Sequence, residues 1–234
     1  MSNILLNYMK KRFNYESPVS KKPLIKLGPV VTISRDYGCP AKRLAGMLSS
    51  ALNRVELENY SQKRWQWISK EILDESSKEL NLKPTLVREV ANKEQDGVVN
   101  DIVKSLSYKD YPGDIKIKKT IKEVIRTFAE QGHVIIVGRG GVSITRDIPN
   151  SLHIKIQAPL EWRINDVSKK QMISLSEAKK KILHIDDQRS QLRDYFGGKK
   201  VDNNAFDVIF NYLTLDEEDI IATIIRLMES RDII

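Results

Sequence analysis

Cysteine is almost missing from this 234-residue sequence: Cys39 stands alone. No internal disulfide can form, and no cysteine-based metal knuckle can be built. Histidine is nearly as scarce, and His133, His153 and His184 fall at no metal-ligand spacing, so they read as structural. No apolar run approaches the ~20 residues a membrane-spanning helix needs. Met1 to Lys11 lacks a secretory leader's order of charge, long apolar stretch and small-residue cleavage site. Aromatic residues are 7 % of the chain, and no lysine or arginine run is interleaved with them, which argues against a nucleic-acid surface. There is no internal repeat and no low-complexity tract. The expectation from these absences is a cytoplasmic protein with neither a membrane nor a nucleic-acid partner.

What is present fits a globular enzyme-sized domain. Hydrophobic residues make up 41 % and charged residues 30 %, and 234 residues suffice to bury a core. The net charge of +8 is unevenly spread. Residues 1–29 carry six basic groups and one acidic, residues 163–200 carry ten and five, and residues 201–234 carry two and eight. The excess therefore sits in a leading arm and one late segment. Lys179-Lys180-Lys181 reads as a solvated helix face.

Along the chain, residues 1–29 read as an arm. Val30 to Ser34 is a short apolar strand, and Ala41 to Leu52 has helical spacing. Residues 61–115 show helical spacing at Trp65, Ile68 and Ile72, with interruptions and no strand signal, and look inserted. Ile117, Ile121, Val124, Ile125 and Phe128 form a helix stripe, and Gly132 stops it. His133 to Val137 and Leu152 to Gln157 are strands, and Pro159 to Lys170 is a helix. Ser174 with Glu177, and Thr214 with Glu217, fit capping boxes for two further helices around a strand at Phe206 to Phe210. Strands alternating with helices predict an α/β protein, a parallel sheet covered by helices on both faces. Its ligands are expected past the C-terminal strand ends, at Arg35–Lys42, Gly138–Gly141 and Ala158–Arg163. The amphipathic last helix and the arm are candidate surfaces for a homodimer.

The run after the first strand, Arg35-Asp36-Tyr37-Gly38-Cys39-Pro40-Ala41-Lys42-Arg43, carries the functional expectation. A tight turn entering a helix aims backbone N–H groups and the positive helix end at an anion. Set against G-x-x-x-x-G-K-[ST], the run has Arg35 and Pro40 at the two glycines and Ala41 at the lysine. Cys39 has two readings, a catalytic thiol or a small residue suited to the turn, and its spacing favours the second.

Ile33-Ser34-Arg35-Asp36-Tyr37-Gly38, Val137-Gly138-Arg139 and Ala158-Pro159-Leu160-Glu161-Trp162-Arg163-Ile164 resemble the cytidylate kinase-like family, a branch of the P-loop nucleoside monophosphate kinases. The resemblance implies one kinase-like domain over 30–234, with a helical acceptor-side insert at 61–115 and a lid at 165–200. It implies ATP with Mg2+ held mainly by phosphates and water, no protein metal site, and a small phosphorylated acceptor such as a nucleoside monophosphate. Residues 35–43 would then bind the donor, with the N–H groups of Gly38, Cys39 and Ala41 as its cradle and Lys42 bridging its phosphates. Arg139 would grip the acceptor phosphate, and Arg163, Arg189 and Arg193 would neutralise the transferred group. The structural alternative is that Arg189 and Arg193 merely pair with Asp186 and Asp187 at the surface. Family members have Ser-Gly-Gly where this chain has Cys39-Pro40-Ala41, and acidic residues around the glycine and arginine where it has Val137 and Gly140. A catalytically inactive nucleotide-binding protein on the same fold is the alternative function.

Overall fold

The computed structural model describes residues 4–12, 27–58, 63–69 and 112–234, without the side chains of 4–7, 112–117 and 120. The chain divides into two units, Met1–Ile25 with Lys70–Thr127, and Lys26–Ser69 with Phe128–Ile234. In the first, Ile4–Arg12 is helix α1. The expected arm is thus helical over part of its length, and most of the expected insert at 61–115 lies outside the described residues.

The second unit holds a five-stranded parallel sheet in the order β2-β3-β1-β4-β5. Its strands are β1 (Val30–Arg35), β2 (Gln66–Ile68), β3 (Val134–Val137), β4 (Ser151–Gln157) and β5 (Val208–Asn211). The helices are α2 (Ala41–Glu58), α3 (Pro112–Gln131, which begins in the first unit), α4 (Gly141–Ile144), α5 (Leu160–Gln171), α6 (Leu175–Gly197) and α7 (Glu217–Ser230). β1 is central, with Ile33 opposite Val137 of β3 and Ile154 of β4. Val30 to Ile33 are all buried because both faces of this strand are covered.

On one face Val31, Ile33, Ile135, Leu152, Ile154 and Ile156 pack with Leu44 and Leu48 of α2 and Ile220 and Ile224 of α7. On the other face α4 comes so close that a Cβ at Gly141 would press on Ile136 and Thr32. Buried His153 lies on that second face, 2.9 Å from Thr32 Oγ1 through Nδ1. Burial holds its pKa below the ordinary range, so it sits neutral in the sheet.

Two sequence expectations are corrected. Gln66–Ile68 is an edge strand parallel to β3, not part of a helix. Trp65, Ile68 and Ile72 mimic helical spacing, but tertiary bonds decide the backbone. Asn53 of α2 accepts from Trp65 N–H at 2.7 Å and donates to Trp65 C=O at 3.0 Å, and Ser49 Oγ donates to the same carbonyl. The cap of α7 is Asp216, which accepts from Asp219 N–H at 2.8 Å, rather than Thr214. Glu217 is drawn away to Arg43, at 2.7 Å, and to the Tyr212 hydroxyl. The capping box at Ser174 and Glu177 forms as expected.

Gly132 ends α3 at φ 86°, where L side chains are strained, and a Cβ there would overlap the carbonyl of Gly28. Gly132→Ala is expected to lower unfolding free energy by more than about 1 kcal/mol, read as a reduced urea midpoint at unchanged m-value. An unchanged midpoint would show that the 28–29 segment yields freely.

Candidate functional site

β1 and β4 are neighbours, yet the chain leaves β1 towards β2 and leaves β4 towards β5. Their C-terminal ends therefore open a crevice at the point where the connections diverge, the place where parallel sheets bind ligands. The loops 36–40 and 158–159 face each other there, and Asp36 N–H donates to Ile156 C=O at 3.0 Å.

The first loop is wound more tightly than the sequence suggests. Gly38 takes φ 101°. Cys39 N–H donates to Asp36 C=O at 3.2 Å, and Ala41 N–H donates to Cys39 C=O at 3.0 Å. Those two donors, expected to cradle phosphate, are used within the loop itself. Pro40 is the physical reason: it brings no N–H, and its fixed φ starts α2 at once, with its carbonyl accepting from Leu44 N–H. Tyr37 N–H, by contrast, points out of the turn and donates to Asp186 Oδ1 at 2.6 Å.

Arg163 of α5 is 7 % exposed and ties the crevice together. Its Nε donates to Ala158 C=O at 3.0 Å. Its Nη1 donates to Tyr37 C=O at 3.1 Å and to Asp186 Oδ2 at 2.6 Å, and its Nη2 lies 3.9 Å from Asp36. From α6, Arg189 Nη1 donates to Arg35 C=O at 3.1 Å and lies 3.8 Å from Asp186, with its guanidinium 5.5 Å from the Tyr37 ring centre. Arg189 and Asp186 are therefore not a solvent-facing pair. Burial raises the Asp36 carboxyl above its ordinary pKa and the neighbouring Asp186 adds to this, against Lys155, Arg163 and Arg189. Burial pulls Arg189 and Arg193 below the usual arginine range.

The second loop, Gly138-Arg139-Gly140, closes the same end of the sheet. Gly138 N–H donates to Ile33 C=O. A Cβ at Gly138, which takes φ 71°, would meet the Arg35 guanidinium, and one at Gly140 would strike the Phe196 ring of α6. Arg139 takes φ 56° between them. Ser143 Oγ donates to Arg193 C=O at 2.8 Å, and the buried Nε of Arg193 has no hydrogen-bond partner among the described residues.

Arg35, Asp36, Tyr37, Arg163 and Arg189 thus converge. Lys42 is exposed on the first turn of α2. Arg43 is directed to Glu217 of α7 instead of the loop. Trp65 is in the core at 2 % exposure. Sequence reasoning left two site residues without a role there. Lys155 of β4 reaches within 4.0 Å of Asp36, and its place on the alternating wetter positions of β4 was the available signal. Asp186 was legible only as a neighbour of Arg189 on α6.

The model of the cytidylate kinase-like family matches residues 30–212, which makes the chain nucleotide kinase-like by family. An uncharacterised protein from Eubacterium ventriosum is similar in fold, at 18 % identity and TM-score 0.56, covering 86 % of this chain and 98 % of that one. A shikimate kinase from Bacteroides thetaiotaomicron aligns at 15 % identity and TM-score 0.49, over 86 % and 98 %. No curated protein matches. Among the described residues no helix is long and apolar enough to cross a membrane.

Cys39 is buried, and burial together with the Asp36 carboxylate pushes its thiol up to about 12. The native fold therefore holds the neutral thiol. Its stabilising share is complete below the unfolded thiol's pKa of ~8.5 and disappears as pH rises from there towards about 12. Iodoacetamide at pH 8 is expected to leave Cys39 unmodified in the folded protein and to alkylate it in urea, as read by mass spectrometry. Rapid labelling of the folded protein would restore the reactive-thiol reading.

Proposed function

This chain belongs to the cytidylate kinase-like family, and from that membership we propose that it transfers the terminal phosphoryl group of ATP to a nucleoside monophosphate or a similar small phosphorylated acceptor. The observation that carries this reading is the convergence of Arg163 and Arg189 on the loop after β1, at the sheet's diverging end. Phosphoryl transfer needs positioning and concentrated positive charge more than covalent chemistry. The proposed division keeps residues 30–234 as one catalytic domain, with 61–115 apart from strand β2 on the acceptor side and 165–200 as the lid.

In this reading the donor phosphates lie against residues 35–43, with Lys42 reaching them from the first turn of α2. Arg139, on the loop after β3, takes the acceptor phosphate. Arg189 and Arg193 supply charge to the moving group, and the unbonded Nε of Arg193 supports that assignment. Arg163 keeps the loop and α5 in register while adding charge beneath them. Magnesium would come with the nucleotide. Asp36 is the carboxylate on the loop itself, and it already lies beside Lys155 and Arg163. Among the described residues no three His, Cys, Asp or Glu are grouped to hold a metal ion.

One observation favours a second reading, nucleotide binding without turnover. The N–H groups of Cys39 and Ala41 are used inside the loop, so a phosphate chain would have fewer backbone donors than the family's glycines provide.

A coupled assay with ATP, magnesium and each nucleoside monophosphate is expected to show turnover on at least one acceptor. Arg189→Ala is expected to lower kcat by about 10³-fold with its melting temperature checked alongside. Calorimetric ATP binding with no turnover on any acceptor would select the second reading.

A further inference from the structure

The contacts of Asp186 have the form of a bound anion. One carboxylate oxygen accepts from the backbone N–H of Tyr37 at 2.6 Å. The other accepts from Arg163 Nη1 at 2.6 Å, and Arg189 stands 3.8 Å away. A loop N–H with two guanidiniums is the donor set that recognises a phosphate oxygen. Here that set is filled by a side chain of α6, an element that also lies over the second loop through Ser143 and Gly140.

We propose that Asp186 is an internal occupant of the phosphate site, a carboxylate that a polyphosphate chain must displace from Tyr37 N–H, Arg163 and Arg189 before it can bind. The proposal rests on the phosphoryl-transfer reading for the identity of its ligand. The geometry also explains why the two cannot share the site. Asp36 lies beside the same Arg163, 3.9 Å from Nη2, so an added phosphate would meet two carboxylates against the same cations. Repulsion is removed only if one carboxylate leaves, and Asp186 is the one on a side chain from a separate helix. The Ser143 and Phe196 contacts hold the C-terminal part of α6 near Gly138–Ser143. Release then asks for movement of one side chain and its turn of helix, with those ties intact. When Asp186 leaves, Arg163 and Arg189 each lose a counter-charge while their bonds to the Ala158, Tyr37 and Arg35 carbonyls hold them in place for the incoming anion, so the same event opens the site and arms it.

The test compares the wild-type chain with Asp186→Asn by isothermal titration with inorganic tripolyphosphate. Asparagine keeps the size of the side chain and can still accept from Tyr37 N–H, but it no longer competes as an anion. Asp186→Asn is expected to bind tripolyphosphate about tenfold tighter or more, the scale of a charged hydrogen bond. Should that variant fail to fold, Asp186→Ser is measured in its place with the same expectation. Binding by wild type with equal or weaker binding by the variant overturns the displacement and leaves the kinase reading standing. Tighter binding by the variant without turnover of any acceptor upholds the displacement while the kinase reading falls. Absence of binding in both chains overturns both.

Discussion

One buried guanidinium organises the functional end of this molecule. Arg163 bonds the carbonyl that ends the β4 loop, the carbonyl of Tyr37 in the β1 loop and the carboxylate of Asp186 on α6. A charge so deeply covered is tolerated only with its donors satisfied and counter-charges at hand. Asp186 and Asp36 provide them. The two loops and the long helix can separate only if another anion takes the place of the lost carboxylate, which is why the crevice between β1 and β4 has a defined shape.

The loop after β1 shows the cost and the benefit of its composition. With Pro40 and Ala41 at its end, the turn closes two of its amides on its own carbonyls. The turn becomes self-sufficient. Tyr37 N–H, which points out of the turn, is met by a carboxylate from another element. Neutral Cys39 beneath the turn fits the same pattern, because a thiolate there would face Asp36 and Asp186 in a desolvated place. The positive charge nearest this turn comes from arginines carried on α5 and α6.

The reach of sequence reasoning can be judged element by element. β1, β3 and β4 were plain because fully apolar or alternating runs of that length form parallel strands. The capping box at Ser174 was plain because both of its partners lie within one turn. Gln66–Ile68 was not, since three residues carry too little pattern and the strand is held by Asn53 and Ser49 from α2. Thr214 misled because Glu217 had a stronger partner in Arg43, remote in sequence. Around the crevice, the loops after β1 and β3 and Arg163 belong to local runs that a sequence displays directly. Lys155 and Asp186 were passed over, because each acquires its meaning from a partner on another element.

The sequence alone determined the alternation of strands and helices, the strand-turn-helix start and, with its single cysteine, the lack of an internal disulfide, since these follow from neighbouring residues and from counts. Tertiary structure decided which donors remain available to an anion, and that a carboxylate 149 positions away from Tyr37 takes one of them. The reason is physical: a backbone N–H pairs with an acceptor that the fold holds within hydrogen-bond reach, and no local pattern records that distance.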